Sequence, residues 1–503
     1  MNEKNEKLII MRVARSLSQS EVCTHIGVDL RTYKRWESQG TIPQPQSRRK
    51  LCELFSVSLC DLGYDSLSLL RARVGKITTS PTQSSRPNTA ETQQNNVSGS
   101  SIDVEPPDWA VWFGLRVAQI LRAISLWSGQ AMPCDDIQTV VDQEIKVMDE
   151  MLRQYQIEPE QSIPRRQALV TIAGLPTTLL TIWKQSGVMT DNTIEEFLPQ
   201  CAASTTACWH LLRGKGLKVV SEILPQFAPL LTAVALRPSK YQQMAARLAT
   251  QTSILQAIVA MHRLDPTGRE KHCNDAICYS RISGDRKLQA AALMYLGYTF
   301  SFRYLPRKPE KAIPLFLQGL NALGEEESLL RSDILMGLAE AYAQCKEEKQ
   351  ALHYMELAKT HFPAYPEHDP CYIYADCGWP VLYQWEGKMY LEIAEQYPDF
   401  GYQRKAADAL MQSIGVQSIS ERSTNETIVY RADAARVLGE LDVYVEYLET
   451  GAQMALTLGS RKRFTEALLV YQRTPEKWLA EQHIQALAKD VFRQLPTGKA
   501  NNP

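Results

Sequence analysis

The chain has 503 residues, 44% hydrophobic and 22% charged, with 55 Lys/Arg against 56 Asp/Glu and a formal net charge of −1. That length predicts about three soluble domains with ample cores, and the balance excludes a polybasic nucleic-acid coat or an acidic tail as the chain's average character. Eleven cysteines without dense spacing predict reduced thiols and a cytoplasmic protein rather than a disulfide scaffold. The opening MNEKNEKLIIMR lacks the apolar run of a secretory signal. Residues 1–80, however, hold thirteen Lys/Arg against eight Asp/Glu, a surplus of +5, which leaves −6 on residues 81–503. A basic end on an acidic remainder is the asymmetry expected where one end meets a polyanion.

The N-terminal elements follow one another closely. Leu8, Ile9, Met11, Val13 and Ala14 supply a first apolar stripe. Ser18-Gln19-Ser20-Glu21 reads as a capping box, in which the Ser18 hydroxyl takes a free amide and Glu21 reaches back. Val22, Cys23 and Ile26 form the inner face of a short second helix. Gly27 stops it, because glycine enters the left-handed C′ conformation at no steric cost. Asp29 caps a third helix over Leu30–Glu37, with Tyr33 and Trp36 inward and Leu30, Arg31, Thr32, Lys34 and Arg35 on other faces. Pro43 and Pro45 make a turn before a fourth helix at about Gln46–Phe55, whose Leu51, Leu54 and Phe55 close the core. A helix, a short glycine turn and a helix bearing cations is an arrangement that fits a DNA major groove.

The stretch SQSEVCTHIGVDLRTYKRWE at 18–37, followed by Gly40, Ile42, Pro43 and LCELFSVS at 51–58, closely resembles the Cro/C1-type (XRE) helix-turn-helix family. The Ser-Gln entry, the Gly-Val turn and the Trp-Glu helix end carry the resemblance, which is confined to the N-terminal end. It implies a four- to five-helix DNA-binding domain at 1–77. It also implies that Gln19 bonds a phosphate and braces the recognition helix. Leu30, Arg31 and Arg35 would face base edges, where arginine chelates guanine and leucine meets a thymine methyl. Thr32 and Lys34 would lie at the groove rim or on phosphate. Arg48, Arg49 and Lys50 would open the fourth helix, where the dipole favours phosphate. Asp29 and Tyr33 depart from the family's commoner Ser/Thr and Ile/Val, and Asp29 adds a negative charge beside the groove. Two plainer readings stand beside this one: a solvated cationic face, and a helix-turn-helix kept as a protein-docking module.

Residues 78–108, rich in Ser, Thr, Asn, Gln and Pro, cannot bury enough surface to offset chain entropy and are expected to form a flexible polar linker. Apolar residues from Trp112 to Trp127 recur at helical steps, as do Ile137, Val140, Val141, Ile145, Met148 and Leu152 within a helix over about Asp136–Tyr155. These belong to a helical connecting domain at 109–192. Its most apolar run, Ala168–Trp183, is shorter than a membrane span needs and reads as buried helices broken at Gly174-Leu175-Pro176. From 193 to 495 helix–turn–helix units follow one another, with a disordered tail at 496–503.

Within that region Leu338-Ala339, Tyr342, Ala351, Ala358 and Pro363 in Ser332–Tyr365 match the 34-residue tetratricopeptide pattern. Weaker copies are Leu296-Gly297, Phe300, Ala312, Phe316 and Gly319; Gly387, Tyr390, Ala406 and Leu410; and Arg431-Ala432, Ala435, Leu448 and Gly451. The resemblance implies a TPR-like α-solenoid with a concave surface for a peptide, a protein or a partner protomer; a generic helical bundle is the competing reading. Tyr372, Tyr374, Trp379, Tyr383 and Trp385 could line such a groove or serve as core.

No catalytic or cofactor-binding residue is identified. Arg213-Gly214-Lys215-Gly216 lacks the spacing of a phosphate loop, and His272-Cys273 with Cys278, or His368 with Cys371 and Cys377, lack a zinc pattern. The chain is therefore expected to be all-α and not an enzyme, with no cofactor, no metal and no membrane. Its expected partners are double-stranded DNA through residues 1–77 and a peptide or protein through the array. A helix-turn-helix headpiece joined to such an array resembles bacterial transcriptional regulators whose repeats bind signalling peptides and dimerise, which implies a homodimer here. The alternative is a DNA-anchored scaffold whose array recruits another protein without a switch.

Overall fold

The computed structural model describes residues 8, 12, 19–38, 47, 50, 51 and 54 of one unit. In a second it describes 109–127, 134–155, 157–159, 162–178, 180, 190–301, 307–325, 328–375, 378–398, 401–414 and 420–492. The units divide between Ile102 and Asp103. The expected linker at 78–108, the tail at 496–503, and Ser18, Arg48, Arg49 and Phe55 lie outside the described residues. Among the described residues every regular element is helical, as the sequence predicts.

In the N-terminal unit α1 spans Gln19–Ile26 and α2 spans Leu30–Ser38. Gly27 ends α1 at φ +73°, where its own N–H and that of Val28 donate to the Cys23 carbonyl at 2.9 and 3.1 Å. Asp29 starts α2. Its carboxylate accepts from the Thr32 N–H at 2.9 Å and from the Thr32 hydroxyl at 2.6 Å; those bonds hold its pKa below the usual range. Tyr33 and Trp36 meet edge to face, 5.9 Å between centroids, in a core with Leu8, Val22, Cys23, Ile26 and Leu51.

In the second unit α3 (Trp109–Trp127), α4 (Cys134–Gln154) and α5 (Ile163–Ala173) pack around α6 (Asp191–Arg213). α6 is buried along most of its length, its Ala202, Ala203 and Ala207 fully so. The core runs on without a break from Phe113 to Tyr402. The array continues as antiparallel-style neighbours in sequence: α6 with α7 (Leu217–Leu236), α8 (Gln242–Arg263) with α9 (Pro266–Ser283), and α10 (Arg286–Ser301) with α11 (Pro309–Leu323). Next come α12 (Leu329–Gln344) with α13 (Glu348–Thr360), the short α14 (Tyr372–Ala375), and α15 (Trp379–Ala394) with α16 (Tyr402–Ile414). α17 (Glu421–Leu438) pairs with α18 (Leu441–Thr457), followed by α19 (Arg461–Gln472) and α20 (Gln482–Ala486).

Each of the four small-residue units in the sequence falls on one of these pairs. The small residues sit where two helices nearly touch: a Cβ on Gly297 would stand 2.7 Å from the Phe316 ring, and one on Gly387 2.5 Å from Leu410 Cγ. Ser328, Ser420 and Ser460 cap α12, α17 and α19, each hydroxyl accepting the amide three residues on. The Gly174 break is present as the cap of α5. Among the described residues one helix, α7, is long and apolar enough to cross a membrane by composition, yet its face of Val220, Leu224, Phe227 and Leu231 is buried in the array.

Candidate functional site

The first helix of each successive pair turns toward the inside of the array, and the array curls until α19 meets α8. Where these helices converge lies a partly open cavity of about 120 Å³. α6 brings Trp209 and Arg213 to it, α8 brings Ile258 and His262, and α10 brings Tyr295 and Tyr298. Asp333 comes from α12, Ile373 from α14, Trp385 from α15, Arg422 and Glu426 from α17, and Lys462 and Arg463 from α19.

One wall is aromatic. Tyr298 stacks on Trp385 with centroids 5.2 Å apart, and Trp209 lies 6.1 Å from Tyr374 and 6.5 Å from Tyr295. Their hydroxyls are held: Tyr298 donates to the Asp333 carboxylate at 2.7 Å and Tyr295 to the Tyr374 carbonyl at 2.6 Å. Of the five aromatics singled out in the sequence, Trp385 lines the cavity. Tyr372 stands behind it as a platform for Arg213, 4.7 Å from the ring centroid. Trp379 packs elsewhere, against Phe362 at 4.7 Å.

Next to the aromatic wall lies a buried ionic one. Lys462, Arg463 and Glu466 are buried on α19: Lys462 Nζ donates to Glu466 at 2.6 Å and Arg463 Nη1 to its other oxygen at 2.7 Å. Arg463 also donates to Glu426. Lys388, buried on α15, stands 3.5 Å from both Glu340 and Glu426 and 3.7 Å from the centre of the Trp385 ring. Burial opposes the Glu426 charge, but Arg463, Lys462 and Lys388 hold its carboxyl well below the usual range. Burial, and then Arg463, push Lys462 down to about 8. Burial raises the Glu340 carboxyl, with Glu392 and Glu426 adding to the effect. Dehydrating so many charges costs more than their pairing reliably returns, and such a cluster beside a cavity makes this the candidate site.

His262 ties the two ends of the array together. Its Nε2 lies 3.2 Å from Arg422 Nη1, and because a guanidinium only donates, Nε2 accepts. Nδ1 therefore carries the proton and donates to Ser460 Oγ at 2.6 Å, across 198 positions of sequence. Burial, then Arg422, Arg463 and Lys462, keep this imidazole's pKa well below the ordinary histidine value.

In the N-terminal unit, Leu30, Arg31, Lys34 and Arg35 are exposed on α2, while Tyr33, Trp36 and Glu37 anchor its inner side. Thr32 is half-buried, its hydroxyl engaged by Asp29. Gln19 braces α2 by donating from Nε2 to the buried Glu37 at 2.6 Å, beside Arg12 Nε at 2.7 Å. Burial opposes the Glu37 charge, and these two donors hold its pKa below the usual range. Lys50 is exposed, and its ammonium donates to the Ile26 carbonyl at 3.1 Å at the end of α1. Arg48 and Arg49 lie outside the described residues.

Sequence reasoning left out the ionic wall. The first small residue of each unit is followed by Tyr298, Glu340, Lys388 and Asp433, and every one of these polar side chains is buried. That recurring position was the signal. Among the described residues no three His, Cys, Asp or Glu side chains are grouped as a metal site.

The chain matches no protein-family model and no curated protein. Among solved structures, a chain of phAimR-Ligand superposes with a TM-score of 0.38 at 12% identity, over 74% of this chain and 93% of that one.

Proposed function

We propose that this protein is a sequence-specific DNA-binding transcriptional regulator, not an enzyme, whose helical array senses a peptide and dimerises. The observation that carries the DNA-reading half is the presentation of α2. Asp29 caps its start, and Tyr33, Trp36 and Glu37 lock its inner side. Leu30, Arg31, Lys34 and Arg35 are left on the outside of a rigid helix, as base readout requires. The resemblance of this segment to Cro/C1-type headpieces supports the same reading. The sensing half is supported by the cavity, where aromatic, ionic and aliphatic side chains from eight helices converge. Coupling follows by linkage: a peptide that binds two arrangements of the array unequally changes how two headpieces meet their half-sites.

Selection of full-length protein on random duplexes tests the first half. A defined site is expected, and Arg31→Ala or Arg35→Ala should weaken binding to it by ~1–3 kcal/mol and relax preference at one position. An equal loss on every sequence would move these arginines to phosphate; recovery of no preferred site refutes sequence-specific reading. A sedimentation mass of one protomer refutes the dimer. A captured peptide that leaves binding to the selected site unchanged favours a DNA-anchored scaffold.

A further inference from the structure

The contents of the cavity point to the chemical end of the ligand that enters it. About 120 Å³ is less than the roughly 150 Å³ that holds one benzene, so the space admits one aliphatic side chain at the end of a chain rather than an aromatic ring or a peptide passing through. Its lining has four cationic side chains, Arg213, Arg422, Lys462 and Arg463, against two carboxylates, Asp333 and Glu426. The carboxylates are served, Asp333 by the Tyr298 hydroxyl and Glu426 by Arg463, and Glu466, behind the lining, pairs with Lys462 and Arg463, so the positive excess on the lining is small. Two buried donors on the lining residues, Trp209 Nε1 and Arg463 Nε, have no acceptor among the described residues. A buried N–H without an acceptor is costly, and an incoming oxygen anion removes that cost. The rest of the lining, Trp209, Tyr295, Tyr298 and Trp385 with Ile258 and Ile373, suits an apolar side chain.

We propose that the cavity receives the C-terminal residue of a peptide, its free carboxylate among Trp209, Arg213, Arg422 and the α19 cations and its apolar side chain against the aromatic wall. This inference rests on the peptide-sensing reading and narrows it. A peptide whose terminus is amidated, or whose last residue is charged, does not fit. Recognition of the chain end also makes the length of free peptide beyond that residue irrelevant to the anchor, so specificity for the remainder falls to the surface around the mouth.

The test uses the full chain and two pools of N-acetyl-Ala-Ala-X peptides, X being Leu, Ile, Val or Met, one pool with free acids and one with C-terminal amides. Tryptophan fluorescence and the melting temperature are read together, with sodium acetate and sodium phosphate as anion controls. The free acids are expected to bind at least about tenfold more tightly than the amides, the worth of one charge-assisted hydrogen bond. Arg213→Gln should erase most of that difference. Trp209→Phe, which keeps an aromatic ring and removes only the N–H, should weaken the acids about threefold to tenfold. Both variants are first checked for a wild-type far-ultraviolet spectrum and urea midpoint. Equal binding of acids and amides overturns the carboxylate anchor and leaves peptide sensing standing. Binding of neither pool overturns both. A response to acetate or phosphate as large as that to the acids reduces the cavity to a general anion site and overturns the peptide end.

Discussion

Replacing Glu426 by Gln removes one charge from the ionic wall while keeping its shape. In the folded chain Glu426, Glu466 and Glu340 face Arg463, Lys462 and Lys388. The substitution leaves three buried cations against two carboxylates. Breaking a buried ion pair by removing one partner costs about 3–5 kcal/mol. Arg463 keeps Glu466 at 2.7 Å, which places the expected cost near the lower end, about 3 kcal/mol. The second unit spans about 400 residues; at roughly 2.1 cal/mol/K per residue its unfolding entropy is near 0.8 kcal/mol/K, so the melting temperature should fall by about 4 °C. Calorimetry together with urea titration measures both quantities on one sample. The control is Glu395→Gln, which opens the exposed pair with Arg473 at 2.9 Å and should cost no more than about 0.5 kcal/mol. A Glu426→Gln protein that melts within 1 °C of wild type, or a control that is equally costly, refutes the claim that the wall is a balanced buried network.

Three further outcomes follow from positions described above. Gly387→Ala should destabilise by about 1–3 kcal/mol, since its Cβ meets Leu410 at 2.5 Å; Gly114→Ala, on α3 with nothing within 4 Å, should stabilise by about 0.5–1 kcal/mol, and urea midpoints decide between them. His262 is held neutral, so the unfolded chain binds its proton first as pH falls through 6.5, and stability is lost downward from there. His262→Gln should flatten that acid limb in melting curves taken from pH 7 to pH 5. Lys462, at about 8 when folded and 10.5 as an ordinary lysine, binds fewer protons folded than unfolded between those values, so its contribution rises with pH there. The difference in urea midpoint between wild type and Lys462→Met should therefore shift in favour of wild type from pH 8 to pH 10.

Local rules carried far in this chain. Helical periodicity located α3 and α4 to within a few residues, and the Gly27 stop, the Asp29 cap and the inward Tyr33 and Trp36 all follow from steric and hydrogen-bonding preferences of single residues. Small residues at repeat spacing found the pairs from α10 to α18, because close helix approach leaves no room for a side chain at Gly297 or Gly387. What stayed hidden depends on closure. Lys388, Glu426 and Lys462 have the composition of solvated surface, and only the curl that brings α19 to α8 removes their water. Trp385 and Trp379, six residues apart, have the same local pattern and opposite fates for the same reason: one faces the interior of the curl and the other does not.

An open solenoid tolerates gain or loss of repeats, because each unit touches only its neighbours. The bonds from His262 to Ser460 and Arg422 take that freedom away here. Duplicating or deleting one helix pair between α8 and α17 would rotate and translate the last helices off their partner and leave a buried imidazole without Arg422 and Ser460. The number of repeats is thus fixed by a single histidine. Descendants of this chain can vary in the lining of the cavity and in the face of α2, but insertions should collect in the turns rather than as whole units.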